Sequence, residues 1–347
     1  MLAMSDAATL PHATPESKGL ASRDLLALIR RLESGGLDPH ALTVTRHGQV
    51  LFESAWAPHR PETPALVYSV SKTFTALAIG YLEAEGRIDL TAGVDRYLDL
   101  PNPHGITVRH LLTMNTGHSR EQTLTLPFSA AELLTIAPEK TPGTNFAYNS
   151  PATYTLGLII TALTGEQPSA YLRPRLLDPL GIPQRWWRPL PSERAAEAAD
   201  LAQEQAFSGF HLTVDDVNRL TIALAEGGRW NGEQIIPAAY VQAMAQPWSD
   251  NRDPAAPTLE DGEPDPGQLD WALGYGYQVW RSIHGFRLDG AYGQFGLVIP
   301  ERGITLSYQG ATTNTPATLA AFWELVDSFV DGEVPTDAET SAELALA

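Results

Sequence analysis

The chain has 347 residues, 43% of them hydrophobic, enough to bury a full core as one large domain or as two that share a cleft. A formal net charge of −18 sets it against polyanions, so neither nucleic acid nor an anionic membrane is expected as a partner. The absence of cysteine excludes disulfides, thiolate nucleophiles and Cys-based zinc or iron–sulfur centres.

Residues 1–20 read as an irregular lead-in. The opening Met1-Leu2-Ala3-Met4-Ser5-Asp6 has no basic stretch before a long apolar core, and no apolar run reaches the ~18 residues of a membrane helix; a soluble cytoplasmic protein is expected. Ser22-Arg23-Asp24 begins a helix with a buried stripe of Leu25, Leu26, Leu28, Ile29 and Leu32, stopped by Gly35-Gly36. Ala41–Thr45 and Val50–Trp56, split by His47-Gly48-Gln49, form a predicted hairpin. A strongly apolar helix follows from Ser69 to Gly86 and is expected to be central to the fold.

Residues 87–265 are mostly helical in pattern: Val108–Leu112, Ala130–Ile136, Tyr154–Leu163, and Val214–Glu226 behind the cap candidate Thr213. Residues 249–268, with Asp-Pro and Glu-Pro pairs and few apolar groups, read as a long exposed loop. Strands are expected at Gly274–Arg281, Gly285–Leu288, Tyr292–Ile299 and Ile304–Tyr308, then a helix from Pro316 to Val330. The fold class is therefore α+β: an antiparallel sheet flanked by helices, from residues 15–75 and 270–330, with 76–269 inserted as an all-helical domain. The acidic tail 331–347 is expected to be disordered. Ser69 would sit at the junction of the two domains, where clefts form.

Three segments carry candidate chemistry. In Ser69-Val70-Ser71-Lys72 a hydroxyl and an amine share one helix face, and a desolvated amine can take a serine proton. Lys72 is one of only three lysines, with Lys18 and Lys140. A helix cap beside a solvated lysine fits the bare motif equally well. Phe146-Ala147-Tyr148-Asn149-Ser150 can present a phenol and a hydroxyl from a loop, although loop tyrosines mostly pack. Asp289-Gly290-Ala291-Tyr292-Gly293-Gln294-Phe295-Gly296 can bring backbone N–H groups close to a developing oxyanion, or can be a plain Gly-rich turn. His104, His110 and His118 lack His-Glu-x-x-His spacing and are expected to cap or pack; no metal is called for.

In this order the three segments resemble the serine hydrolases that share the fold of class C β-lactamases and penicillin-binding proteins, marked by Ser-x-x-Lys, Tyr-x-Asn and Lys-Thr-Gly or variants. Supporting segments include Ile106–Met114, Thr116-Gly117-His118, Pro142-Gly143-Thr144, Gly227–Gly232 and Gly274–Tyr277, which are similar to the esterase branch. The resemblance implies Ser69 as acylated nucleophile, Lys72 as base, Tyr148 as proton relay, and an oxyanion hole from the N–H groups of Ser69 and Gln294. It implies substrate contacts from Asn149, Ser150, Ala291, Tyr292 and Gly293, and no cofactor. Ser150 replaces the usual Asn, and Ala291 stands where Lys or His is usual; Arg281 or Arg287 would have to supply that cation. The implied substrate is a small-molecule ester with a small acyl group, ahead of an amide, a β-lactam or a D-Ala-D-Ala peptide. A relative that binds a ligand without turnover is the non-enzymatic alternative.

Overall fold

The computed structural model describes residues 9–189, 203–252 and 270–345. The elements run α1 (Ser22–Ser34), β1 (Pro39–Arg46), β2 (Gln49–Ala55), β3 (Ala65–Leu66), a 3₁₀ turn Tyr68–Val70 and α2 (Ser71–Ala84). Then come α3 (Val108–Leu112), α4 (Arg120–Thr125), α5 (Ala130–Thr135), α6 (Ser150–Thr164), α7 (Pro168–Leu172), β4 (His211–Leu212), α8 (Val214–Ala225), β5 (Arg229–Trp230), β6 (Glu233–Gln234) and α9 (Ala238–Met244). The chain closes with β7 (Trp280–Arg281), β8 (Phe286–Gly290), β9 (Gln294–Ile299), β10 (Ile304–Gly310), α10 (Thr315–Ser328) and α11 (Ala338–Leu344).

Six strands form one antiparallel sheet in the order β2-β1-β10-β9-β8-β7, so the two ends of the chain meet at the β1–β10 pairing. Strand alternation sorts the side chains between its faces. Phe295, Leu297, Ile299, Ile304, Leu306 and Tyr308 join the core under α1 and α10. Val298, Phe286 and Leu288 join the core of α2, α6 and α8. Helix α8 lies directly on that second face: a Cβ on Gly296 would come within 2.8 Å of Thr221 Cγ2, so only glycine permits this approach. The cap expected at Thr213 is present, its Oγ1 accepting from Asp216 N at 3.0 Å while Arg185 grips the Asp216 carboxylate at 2.7 and 3.2 Å.

Three expectations change. The 76–269 segment is not a self-contained helical domain, because α8 leaves it to cover the sheet and one core runs from α2 and α6 to β8 and β9. The tail expected to be disordered contains α11, whose Leu344 is buried against the α1 core and whose Asp337 caps its first turn. Most of the strand expected at Gly274–Arg281 is irregular: only Trp280–Arg281 pairs with β8, and Tyr275 makes isolated bridges to Ser249 and Trp280. A Cβ on Gly276 would lie 1.9 Å from Met244 O, and Gln278 takes φ +58°, which breaks the extended run. Of the 249–268 loop, residues 253–268 lie outside the described residues.

Gln278 does work that its neighbours cannot. Its Nε2 donates to Leu111 O and Leu112 O at 3.1 and 2.8 Å, and its Oε1 accepts from Thr153 Oγ1 at 2.7 Å. Its own carbonyl accepts from Thr73 Oγ1 at 3.0 Å, so one buried residue ties α2, α3 and α6 together. Gln278→Leu is expected to lower the unfolding free energy by about 2–4 kcal/mol, read by denaturant titration, because Leu111 O and the Thr153 hydroxyl lose the amide they bond to in a buried site. No change in the midpoint would contradict this.

Candidate active site

Ser69 sits in the tight 3₁₀ turn before α2, not in the helix itself. Tyr68 holds φ at +45°, a conformation costly for a tyrosine, and this strained entry sets the direction of the serine. Lys72 follows one turn later, on a helix buried from Ser71 to Leu82, and is only 1% exposed. Its Nζ reaches Ser69 Oγ at 3.0 Å and donates to Phe207 O at 2.9 Å. None of the described ion pairs includes Lys72, and burial alone lowers its ammonium from 10.5 to about 7. Near neutral pH the amine can therefore keep its lone pair for the Ser69 proton while the Phe207 carbonyl holds one of its N–H groups.

The carbonyl anchor lies in a segment with no side-chain motif to place it here. Residues 206–210 run along the start of α2, pinned by Thr75 Oγ1 to Ala206 O at 2.7 Å and by Phe210 N to Ser71 Oγ at 3.2 Å. The available signal was Gly209 between Phe207 and Phe210, a positive-φ glycine set between aromatics.

Tyr148 arrives from the loop before α6. Its ring centroid is 4.9 Å from Lys72 Nζ, and the Ser69 side chain is near enough to act on its phenol. Burial pushes this phenol far above its ordinary value; the Ser69 side chain opposes the shift and the Asp289 carboxylate adds to it. Tyr148 is thus held as a neutral phenol rather than a phenolate. Its ring stacks on Trp280 at 5.7 Å and meets Tyr275 edge-on at 6.2 Å, which fixes its plane.

The third segment forms the β8–β9 hairpin beside the Ser69 turn. A Cβ on Gly290 would lie 2.4 Å from Val67 O, so glycine is required for β8 to come this close. The rings of Tyr292 and Tyr68 are 5.3 Å apart. Ala291 and Tyr292 are exposed at the turn, whereas Gly293 is buried.

Gln294, expected as the second oxyanion donor, does not fit that part. It begins β9, which lies between β8 and β10, and it pairs with Gly290 across the hairpin. Its Nε2 donates to Gly310 O at 2.6 Å. Among the described residues β7 pairs only with Phe286 and Arg287, so from Leu288 onward no strand lies along that edge of β8.

Asn149, expected to touch substrate, is instead fully buried: its Oδ1 accepts from Ala152 N at 3.1 Å and its Nδ2 donates to Thr116 Oγ1 at 3.1 Å. It caps α6 and so sets the position of Tyr148. Ser150 is half-buried at the first turn of α6.

The two arginines considered as substitutes for the missing cation are both engaged. Arg287 is fully buried, with Nε on Asp289 at 2.9 Å and Nη1 on Ser282 Oγ at 2.8 Å and Asp270 O at 3.0 Å. Arg281 Nη1 donates to Ala245 O at 3.0 Å. The three histidines cap and pack: His110 Nδ1 accepts from Thr107 N, His118 bridges Thr116 Oγ1 and Ile136 O, and His104 contacts Thr135 O. Trp187 and Trp248 are anchored on Phe210 and Tyr277, while Trp186 stays 59% exposed beside His211. Among the described residues no helix is long and apolar enough to cross a membrane.

Ser69, the buried Lys72 amine and the Tyr148 ring come together between α2 and the β8–β9 hairpin of a β-lactamase/transpeptidase-like fold. The Beta-lactamase family model matches residues 28–326, and the chain belongs to that family of serine hydrolases. Among solved structures it is similar to a penicillin-binding protein homologue from Caulobacter crescentus, at 18% identity and TM-score 0.67, over 91% of this chain and 100% of that one. It is also similar to EstCE1, a hydrolase with promiscuous acyltransferase activity, at 19% identity and TM-score 0.65, over 88% of this chain and 98% of the other. A third is the D-amino acid amidase from Ochrobactrum anthropi SV3, at 18% identity and TM-score 0.64, again over 88% and 98%. At these identities the likeness is one of fold.

Proposed function

We propose that this protein is a carboxylesterase that works through a Ser69 acyl-enzyme. The observation that carries the reading is the 3.0 Å contact between Lys72 Nζ and Ser69 Oγ, with burial holding the amine near neutrality. Lys72 takes the Ser69 proton as Oγ bonds to the ester carbonyl carbon. The oxyanion is held by the N–H of Ser69, in its 3₁₀ turn, and by an amide at the Gly290–Ala291 end of β8. Each such donor is worth roughly 2.7–4 kcal/mol of barrier. The carbon–oxygen bond to the alcohol then breaks, and the departing oxygen takes a proton from Tyr148, which regains one from the Lys72 ammonium. Water, deprotonated along the same path, attacks the acyl carbon and frees Ser69.

An ester is favoured over a β-lactam or D-Ala-D-Ala peptide because both of those carry a carboxylate. Here Ala291 supplies no cation, and Arg287 is buried against Asp289. A neutral amide is the second reading, favoured by the protonated state of Tyr148, since an amine leaves only when protonated. A fluorophosphonate probe is expected to label the protein at Ser69, located by peptide mapping, and to abolish p-nitrophenyl acetate hydrolysis. Labelling elsewhere, or a chromogenic cephalosporin cleaved faster than the ester, would count against the proposal.

A further inference from the structure

We infer that Phe128 and Phe207 form the subsite for the leaving alcohol, so that the substrate is an ester of a small acid with an aromatic or arylalkyl alcohol. The inference rests on the acyl-enzyme reading above and names its substrate class. Phe128 lies between Leu126 and α5 and is 45% exposed, yet its ring is parallel to that of Phe207, 4.6 Å between centroids at 4°. An exposed phenylalanine held flat on a half-buried one, with neither in the core clusters, presents an apolar shelf at the surface.

Its location gives the shelf a role. The Phe207 ring is 5.4 Å from Lys72 Nζ, and its own carbonyl holds that amine at 2.9 Å. The departing alcohol must stay near the Lys72–Tyr148 pair, because that pair returns its proton. Whatever is bonded to the alcohol oxygen therefore projects toward the phenylalanines. The oxyanion amides lie with the β8 edge, where Tyr68 and Tyr292 stand 5.3 Å apart. A flat, uncharged ring suits the shelf, since aromatic faces prefer offset or edge-on aromatic partners.

Benzyl acetate and ethyl acetate give the same acetyl-Ser69 and release alcohols of comparable acidity, so their kcat/KM ratio reports recognition of the leaving group. The ratio is expected to be about tenfold or more in favour of benzyl acetate, and to fall several-fold in Phe128→Ala. Phe128→Leu, which keeps bulk but loses the flat face, is expected to give the same fall and serves if the alanine variant does not accumulate. Benzyl alcohol should also intercept the acetyl-enzyme better than ethanol does. Equal kcat/KM for the two esters, or a larger preference for methyl phenylacetate, would overturn the subsite while Ser69 labelling left the hydrolase reading intact. Turnover of neither ester, with no labelling of Ser69, would overturn both.

Discussion

Ser69→Ala is expected to lower kcat for p-nitrophenyl acetate by roughly ten-thousandfold to a millionfold, the range seen when a covalent nucleophile is removed from a serine hydrolase. The loss should be almost entirely in kcat, because alanine leaves the oxyanion amides, the Phe207 carbonyl and Tyr148 where they are. Stability should change little: the hydroxyl is half-buried and its partners, Lys72 and Tyr148, keep other contacts. Burst kinetics would sharpen the result, with an acetyl-enzyme burst in the natural protein and none in the variant. A variant that retains more than about a hundredth of the activity would mean that another group attacks the ester.

Lys72→Met carries the second large effect and separates catalysis from stability. In the natural protein kcat/KM should rise with pH through about 7, since only the neutral amine can accept the Ser69 proton. In Lys72→Met that inflection should vanish and activity should fall about a hundredfold to ten-thousandfold. The folded-state value of about 7 lies below the 10.5 of the free side chain, so between those two pH values the unfolded chain binds more protons than the folded one. Stability therefore rises with pH across that window. Below it the native protein carries a buried ammonium without a carboxylate. At pH 6 the methionine variant should melt above the natural protein, and the gap should close as pH approaches 10. A constant difference in melting temperature from pH 6 to 10 would show that this ammonium carries no burial penalty.

Helices with a clear apolar stripe and a capping residue were legible from the chain: α1 runs to the residue before Gly35, and α8 begins behind Thr213 as its pattern implied. Ser69, Lys72 and Tyr148 were singled out by spacing and order that match a family pattern, and the fold brings the three together. What local pattern could not supply was contact between distant segments. Phe207 gives Lys72 its anchor through a main-chain carbonyl, and every residue has one, so no side-chain motif advertises it. Arg287 looked available as a cation, and only the pairing with Asp289 shows otherwise. Gln294 looked like an edge amide until the strand order placed it in the sheet interior. The acidic composition of the tail concealed α11, which is held by Leu344 and one cap rather than by a long apolar stripe.

The pairing of β1 with β10 has a consequence for how activity appears during synthesis. The serine and its lysine lie far upstream of β8 and β10, so they are made well before the strands that complete their cleft. Until then the nascent chain holds a lysine with solvent around it, an ordinary ammonium that cannot take a proton from its neighbour. Non-local closure of this kind is also slow. The burial that frees the amine is therefore absent until β1 and β10 have joined.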